Sequence, residues 1–411
     1  MAVISAIGTY LPPWVVGKRR VAGPDEDALT MAVAAGRAAD PGATASRVVL
    51  VSRDFPLLEG GNAAVLLAGL SLSPATVVAE VLGGAATVVD QVALADAGTL
   101  VIAADHNTRS SAAAAVLTGT DSGAPNLSPV SRNARSLPLI ARGADGVRHV
   151  YVDPRLQREV GMSDTLARLD LAGEGNVVSV LAGVAPAQLD SRFDTSTAAA
   201  DSTESAAAVI RLLADALEAR RSGLVIGLDQ STAAMARLDA GTSGVRIVRD
   251  EVDAAELPKT TVADGNGIPI SLPAYSRAFE PKLYWEAAVF EESKGIDSTP
   301  VFPPRMRTND AGTLVSDYTR VPLPRSGSVY TVSTIRIPVP DLPSPYSLAI
   351  VALDDSPLRV LLKVTGVPAG EVHIGQAGAV VLRRIALRSG IPDYGYMFWP
   401  GKLPVSQEVP A

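Results

Sequence analysis

The sequence contains no cysteine. This absence excludes disulfide bonds, thiolate metal sites and cysteine nucleophiles, because each of them needs the sulfur atom. Histidine is also scarce: the chain has three, His106, His149 and His373, and no two of them lie close in sequence. A metal site built from histidines is therefore not expected, and we predict that the protein holds no zinc.

Aromatic residues, positive charge and long apolar runs are scarce as well. Aromatic residues make up 4% of the chain. The formal net charge is −7, and this negative charge argues against a nucleic-acid partner because binding the phosphates requires a basic face. No apolar run reaches the roughly 18 to 20 residues that a membrane-spanning helix requires. The first residues also lack the basic stretch of a signal peptide, so we expect a cytoplasmic protein.

The 411 residues, 47% of them hydrophobic, suffice for two or three globular domains. In the C-terminal part, the stretch Tyr330–Ile385 consists of short runs rich in Val, Ile and Leu, each interrupted by Pro, Gly or Asp. Four or five strands in about 55 residues, with no helix between them, predict a small closed β-barrel. An open meander is the alternative, but it would leave a long strand edge unpaired.

The N-terminal part alternates strands and helices, which is typical of a layered α/β sheet. The elements predicted for a first half are strands Val3–Thr9, Arg47–Ser52, Ala75–Val81, Thr99–Asp105 and Ala112–Thr118, with helices at Asn62–Leu70 and after Gly83 and Gly84. Those predicted for a second half are strands Asn176–Val180 and Leu224–Asp229 and helix Ser202–Ala219, capped by Asp201 with Glu204. Leu94–Asp105 and Leu217–Asp229 share the order helix end, glycine, strand, aspartate, which indicates a repeat.

Three motifs in the C-terminal part carry a resemblance: Gly327-Ser-Val-Tyr-Thr-Val, the Pro-rich link before Val351-Ala-Leu-Asp-Asp, and Val372-His-Ile-Gly375. Over about Tyr275–Pro400 the chain resembles the acyl-CoA-associated OB-fold family, the domain of unknown function thirty-five, which accompanies thiolase-like proteins. The resemblance implies an OB-fold barrel that is mostly a partner domain, preceded by a zinc ribbon whose paired cysteines flank a Pro-Pro-Arg. Phe302-Pro-Pro-Arg305 is present but the cysteines are absent, so packing must hold this segment.

A second resemblance covers about residues 1–245. Ile4-Ser-Ala-Ile-Gly-Thr-Tyr-Leu-Pro12 and Pro24-Asp-Glu-Asp-Ala-Leu-Thr-Met31 are similar to the opening of hydroxymethylglutaryl-CoA synthase relatives in the thiolase superfamily, and Gly223–Ala234 is similar to that superfamily's last strand and turn. This resemblance implies a five-layered α/β/α/β/α sandwich of two similar halves, trimmed here because residues 120–175 are short and polar. We predict a thiolase-like domain at 1–249, a linker at 250–274, a helix and cysteine-free ribbon remnant at 275–326, and an OB-fold domain at 327–411.

Claisen condensation on that fold needs a cysteine at the head of a helix, and the resemblance places this position near Leu82, which cannot attack a thioester. The His-x-Pro-Asn type segment of the second half has no counterpart either. From the residues alone, His106 at a strand end and Glu80 inside an apolar strand, where burial would raise its pKa, are candidate acid/base residues. The competing interpretations are a turn histidine that caps backbone groups and a carboxylate that pairs with an arginine or faces a subunit boundary.

Two further features concern ligands and partners. Arg305, Arg307, Arg320 and Arg325 form a basic cluster in an acidic protein, which predicts contact with the phosphates of coenzyme A or, alternatively, a solvated loop. Lys282–Lys294 is helix-like and carries three aromatic residues. In the OB-fold family a helix at this position packs on a thiolase partner; the alternative is that the aromatic side chains cover the end of the barrel.

These observations favour an accessory, non-catalytic subunit of an acyl-CoA carbon–carbon bond-forming or -cleaving complex, in a homo- or hetero-oligomer with a cysteine-bearing thiolase. A coenzyme A thioester is then a possible ligand, with no covalently bound cofactor. The alternative is a thiolase-like aldolase or acyltransferase that uses His106, Tyr151 or Glu80 without an acyl-cysteine. A scaffold without any ligand is a third hypothesis.

Overall fold

The computed structural model describes residues 1–106, 111–135, 140–142, 147–156, 161–171, 173, 175–203, 205–265, 280–388 and 390–403. The first half of the N-terminal layered domain comprises β1 (Ala2–Leu11), β2 (Trp14–Val16), β3 (Arg19–Val21), α1 (Ala28–Ala39), β4 (Arg47–Ser52), α2 (Asn62–Leu70), β5 (Val77–Leu82), α3 (Ala85–Ala93), β6 (Thr99–His106) and β7 (Ser111–Gly119). Five of these strands form a sheet in the order β5-β4-β6-β7-β1. In this sheet β4, β5 and β6 are parallel, and β7 runs antiparallel to both of its neighbours.

The second half repeats this arrangement. Its elements are β8 (Asn126–Ala134), β9 (Ile140–Arg142), β10 (Arg148–Val150), α4 (Ser163–Ala167), β11 (Val178–Ala182), β12 (Ala199–Asp201), α5 (Ala207–Glu218), β13 (Gly223–Asp229), β14 (Thr232–Asp239), β15 (Arg246–Glu251) and β16 (Ala255–Glu256). The strand order of this second sheet is β12-β11-β13-β14-β8, and two residue pairs between β8 and β1 join it to the first sheet. β15 pairs with β1, and within the described residues β9 and β10 pair with each other. If β2, β3, β9, β10, β15 and β16 are left aside, both sheets follow the order third, second, fourth, fifth, first strand of their half. The predicted repeat is therefore confirmed by the topology.

Helices cover both faces of the two sheets. α1 and α2 pack on the outer face of the first sheet, and α3 and α5 contact each other between the sheets. The outer face of the second sheet is covered by the short α4 region and by loop residues such as Phe193. Helix, sheet, helix, sheet and a thin last helical layer make up the five-layered sandwich, so the prediction of a trimmed thiolase-like domain is confirmed. Within the described ranges, none of the helices is long and apolar enough to span a membrane.

The start of α5 differs from the prediction. The helix begins at Ala207, and Asp201 ends β12 instead of capping the helix. Glu204, the other predicted capping residue, lies outside the described residues. Asp105, at the end of β6, accepts hydrogen bonds from the backbone N of Ala206 and of Ala207, each at 2.9 Å. A local sequence pattern cannot reveal such a cap, because its donor and acceptor lie in different halves of the domain.

The segment before the barrel consists of short strands: β17 (Glu286–Val289), β18 (Arg307–Thr308), β19 (Leu314–Val315) and β20 (Thr319–Pro322). The helix predicted over Lys282–Lys294 is wrong beyond residue 284, because Trp285 has a φ of 61° and the following residues pair with β20. The Trp285 ring lies 4.8 Å from that of Phe302, and the Phe290 ring lies 5.5 Å from that of Tyr318. Aromatic packing thus holds this cysteine-free segment.

The C-terminal barrel contains β21 (Ser326–Ile335), β22 (Tyr346–Leu353), β23 (Arg359–Lys363), β24 (Ala377–Arg388) and β25 (Ile391–Pro400), in the order β23-β22-β21-β24-β25. A parallel bridge between Val364 and Phe398 joins the two ends of this sheet, and the Thr365 backbone N donates to the Phe398 carbonyl at 2.9 Å. The sheet is therefore closed, as predicted, and the open meander is excluded. β25 was not foreseen, although it completes the barrel.

A buried network of charges joins the barrel to α1 of its own chain. Arg383 on β24 is 1% exposed; its Nη2 donates to the Tyr10 hydroxyl at 2.9 Å and lies 3.3 Å from the Glu26 carboxylate. Tyr10 in turn donates to Glu26, whose pKa is raised by burial and lowered in part by Arg383. Asp27 caps α1 and also accepts a hydrogen bond from the Tyr394 hydroxyl at 2.8 Å. The acidic run before α1 therefore binds both the helix and the barrel.

The variant Arg383→Met tests how much this network contributes to stability. Removing the guanidinium leaves the Glu26 carboxylate buried without its cation, so we expect the free energy of unfolding to fall by about 3–5 kcal/mol. The control Arg249→Met removes a surface arginine that pairs with Asp215 and Glu218, and should cost less than about 1 kcal/mol. Urea denaturation measures both losses, and equal values would contradict the burial argument.

Candidate functional site at the heads of the two central helices

The carboxyl ends of strands from both sheets meet the N-termini of α3 and α5 in the middle of the layered domain. Arg53 directly follows β4, Gly84 directly precedes α3, His106 ends β6 and Asp229 ends β13. Helix N-termini carry a positive partial charge, and ligands of open α/β sheets bind beyond the carboxyl ends of the strands. This is therefore the place where the fold could bind an anion or activate a nucleophile.

The head of α3 has no side chain that could attack a thioester. Leu82, the predicted nucleophile position, ends β5 with 68% of its surface exposed; Gly84, two residues later, is the N-cap of α3, which begins at Ala85. A Cβ atom on Gly84 would lie 2.8 Å from the Asp229 Oδ2 atom and 2.9 Å from the Arg53 Cζ atom. The ion pair between Arg53 and Asp229 thus fills the space that a side chain at position 84 would need.

Each half of the domain supplies an aspartate to the central helix of the other half. Asp105 is the penultimate residue of the fourth strand of the first sheet, caps the N-terminus of α5, and accepts from the Ser205 hydroxyl at 2.7 Å. Burial raises the pKa of Asp105, and these hydrogen bonds lower it in part. Asp229, at the equivalent position of the second sheet, lies beside the head of α3 and pairs with Arg53. Internal carboxylates therefore occupy the positive ends of both helices.

His106 lies at the edge of this site, near the boundary with the barrel. Its backbone N donates to Asp54 Oδ2 at 3.0 Å, and its buried Nδ1 atom has no hydrogen-bond partner in the described part of the chain. Burial lowers the pKa of His106, while the charges of Asp27 and Arg384 act on it in opposite directions. The imidazole is therefore mostly neutral at neutral pH, and its role as acid or base stays a prediction.

The other two candidate acid/base residues lie apart from this histidine. The expectation of a buried Glu80 is wrong: it is exposed, because β5 is an edge strand. Its carboxylate accepts from Asn62 Nδ2 at 2.7 Å and from the Ala63 backbone N at 3.1 Å, at the positive end of α2. Tyr151 is 60% exposed. No hydrogen bond among the described residues connects Glu80, Tyr151 and His106.

The predicted phosphate-binding arginines are distributed over the segment before the barrel. Arg305 is exposed in a loop, Arg307 lies on β18 with Nη1 3.5 Å from the Asp297 carbonyl, and Arg320 on β20 lies 3.9 Å from Glu286. Arg325 is separate from them and contacts α2. Contact with coenzyme A stays a prediction for the first three.

The segment before the barrel does not fit a zinc ion, because residues 300–324 contain neither cysteine nor histidine. Elsewhere among the described residues, no group of three or more His, Asp or Glu side chains is arranged to hold a metal.

Sequence reasoning missed the three residues that define the site: Arg53, Asp105 and Asp229. The two aspartates do leave a signal, because each lies at the end of the fourth strand of its half in the repeat. Arg53 leaves none, since its pairing with Asp229 spans 176 positions of the chain. Only the fold brings these residues together.

The sequence of the barrel is similar to that of a known protein family. Residues 320–383 match the family described as ChsH2, C-terminal OB-fold domain. No curated protein matches the chain. Together with the closed five-stranded sheet, the family match establishes that the C-terminal domain is an OB-fold.

Several solved structures are similar to the layered domain. 3-Oxoacyl-[acyl-carrier-protein] synthase III from Aquifex aeolicus VF5 shares 15% identity and a TM-score of 0.47, over 58% of this chain and 100% of that chain. An OleA variant from Xanthomonas campestris shares 13% identity and a TM-score of 0.48, over 58% and 96%. AbyA1, a tetronic acid condensing enzyme, shares 15% identity and a TM-score of 0.45, over 58% and 99%. The repeated strand order and the five layers, rather than these weak likenesses, define the fold of the domain.

Gly84→Ala tests whether the ion pair fills the head of α3. The added methyl group displaces the Arg53 guanidinium from Asp229, and alanine is also a poorer helix cap than glycine, so we expect a loss of about 1–2 kcal/mol of unfolding free energy. In an Arg53→Ala background the contact with the guanidinium is gone and only the capping cost and the contact with Asp229 remain, so the penalty of Gly84→Ala should shrink. A urea-denaturation double-mutant cycle measures the coupling; identical penalties in both backgrounds would show that the space is free.

The burial of His106 predicts a pH dependence of stability. The pKa of this residue is lowered in the folded chain, so between the unfolded value of about 6.5 and the folded value the unfolded chain binds the extra proton. Stability is then complete above about pH 7 and declines as the pH falls through this window. His106→Gln should lose less unfolding free energy between about pH 7.5 and about pH 5.5 than the native chain does. An equal loss in both proteins would contradict a buried neutral imidazole.

Proposed function

We propose that the chain is an accessory, non-catalytic subunit of an acyl-CoA carbon–carbon bond-forming or -cleaving complex, and that it docks onto a separate, cysteine-bearing thiolase. The closed head of α3 carries this proposal. Acyl transfer at such a helix needs a nucleophile and a free positive helix end that stabilises the anion. Gly84 supplies no nucleophile, and Asp229 with Arg53 occupies the space next to it. We therefore assign the covalent chemistry to the partner.

The open edge of the first sheet supports the docking of a partner. β5 pairs with β4 alone within the described part of the chain. Val77 and Leu82 on this strand are 65% and 68% exposed. Proteins normally cover an open strand edge that carries exposed apolar side chains. We assign the partner's contact to this edge, because the barrel of the same chain already covers α1.

The OB-fold domain supports the same proposal. The family that the C-terminal part resembles is mostly a partner domain of thiolase-like proteins, which fits an accessory subunit. The hydroxymethylglutaryl-CoA synthase-like character of the layered domain and a coenzyme A thioester as ligand belong to this proposal. Arg305, Arg307 and Arg320 would then contact the phosphates of coenzyme A.

Affinity purification of the tagged chain from its native host tests the proposal. We expect a cysteine-bearing thiolase to co-purify in stoichiometric amounts, and the separated chain to show no turnover of acyl-CoA. Val77→Lys, which adds a charge to the edge of β5, should lower the recovery of the partner about tenfold or more. The matched control Ile337→Lys, at a barrel position that is 78% exposed, should leave the recovery unchanged.

A stable solitary chain that turns over a β-hydroxyacyl-CoA would overturn the proposal. If that turnover were lost in His106→Ala, the alternative of an aldolase without an acyl-cysteine would replace it. Equal recovery of the partner with Val77→Lys and Ile337→Lys would remove β5 from the docking surface.

A further inference from the structure

A cavity of about 470 Å³ lies between the layered domain and the barrel, on the side of α1 that faces β24. Its wall combines charged groups with apolar side chains from both domains. We propose that this cavity binds an amphipathic oxyanion, in which a phosphate or carboxylate head group carries a short apolar chain. Arg37 and Arg325 hold the head group in this proposal. The site is distinct from the heads of α3 and α5 and does not depend on a partner chain.

Four cationic side chains line the cavity, and only two of them are neutralised. Arg383 lies against Glu26, and Lys402 forms an ion pair with Asp250. Arg37 and Arg325 form no ion pair with any residue that the structure describes. The wall of the cavity therefore holds two guanidinium groups outside any ion pair of the described residues, which an oxyanion would balance.

The two unpaired guanidinium groups converge on the same atom. Arg37 Nη1 lies 3.3 Å from the Ser71 Oγ atom, and Arg325 Nη2 lies 3.1 Å from it. Arg325 Nη2 also donates to the Tyr396 hydroxyl at 2.9 Å. These bonds use one nitrogen of each guanidinium, and the remaining N–H groups have no partner in the described part of the chain. Two such forks next to each other suit the several oxygens of a phosphate or carboxylate.

The close approach of two like charges has an energetic cost that an anion would relieve. Burial and, to a smaller extent, the neighbouring Arg325 cation lower the pKa of Arg37 to about 9, although Tyr396 and the Asp40 charge act in the opposite direction. The C-terminus of α2 compensates in part, because Arg37 and Arg325 also lie 3.5 Å and 3.4 Å from the Gly69 and Ala68 carbonyls. Capping α2 explains where the two side chains point. The Asp40 charge favours the Arg37 cation, but no carboxylate among the described residues forms an ion pair with either guanidinium.

Much of the remaining wall of the cavity is apolar. Val33 and Ala34 of α1 line one side of the cavity. The other side is lined by Leu323, from the segment before the barrel, and by Val380 and Leu382 of β24. An inorganic ion would leave this surface without contact, whereas a chain of a few carbons would bury it. Because the wall comes from both domains, the bound molecule would also hold the barrel against α1.

Thermal unfolding and calorimetric titration with hexyl phosphate, hexanoate and inorganic phosphate test the site. We expect hexyl phosphate or hexanoate to raise the unfolding midpoint of the full chain with concentration, and the better of the two identifies the head group. Inorganic phosphate, which lacks the chain, should bind about tenfold or more weakly. Arg37→Gln and Arg325→Gln should each weaken binding of the better probe by about tenfold or more, whereas the exposed control Arg47→Gln, at the start of β4, should bind as the native chain does.

Ala34→Leu provides a second test that keeps both arginines and the cap of α2. It fills the apolar part of the cavity, so it should abolish the advantage of hexyl phosphate over inorganic phosphate. The proposal is overturned if none of the probes raises the midpoint of the native chain, or if the arginine variants bind as the native chain does. If those arginine variants fail to fold, the proposal is overturned when Ala34→Leu still binds hexyl phosphate more tightly than inorganic phosphate by the same factor as the native chain. Failure here leaves the proposed accessory function untouched.

Discussion

The reciprocal placement of Asp105 and Asp229 is the constraint on which the centre of the molecule depends. Each carboxylate lies at the end of the fourth strand of one half and at the head of the central helix of the other half. A layered α/β domain with two helix N-termini facing its middle must neutralise their positive ends. In an enzyme of this shape an anionic substrate or intermediate could serve that purpose. Here the chain supplies its own anions, which join the two halves and fill the space beside the head of α3.

The second organising interaction is the buried Arg383 network, which fixes the barrel on α1. The barrel therefore does not extend freely from the layered domain toward a partner. Its contact with the same chain buries Glu26 and Tyr10, and it encloses the cavity lined by Arg37 and Arg325. The edge at β5, on another side of the first sheet, is left open for a partner. Docking and ligand binding would thus use separate surfaces.

The sequence predicted the elements well and their long-range contacts poorly. Periodicity and glycine punctuation predicted α2 at Asn62–Leu70 and β4 at Arg47–Ser52 with the correct bounds, because these signals are local. The helix over Lys282–Lys294 was wrong because pairing with β20 overrode helix propensity. The pairing of Arg53 with Asp229 had no local signal at all. Residues whose partners lie in the other half or the other domain become visible only once the fold is known.

The central claim is that the covalent chemistry belongs to a cysteine of another chain, and the absence of cysteine here allows a direct measurement. The chain and its co-purified thiolase would be separated, each treated with iodoacetamide, freed of reagent and recombined with the untreated counterpart. The claim predicts that the acyl-CoA turnover of the recombined complex is complete when only this chain was treated and is lost when only the thiolase was treated. Turnover that survives alkylation of the thiolase would contradict it, since the reaction would then need no cysteine.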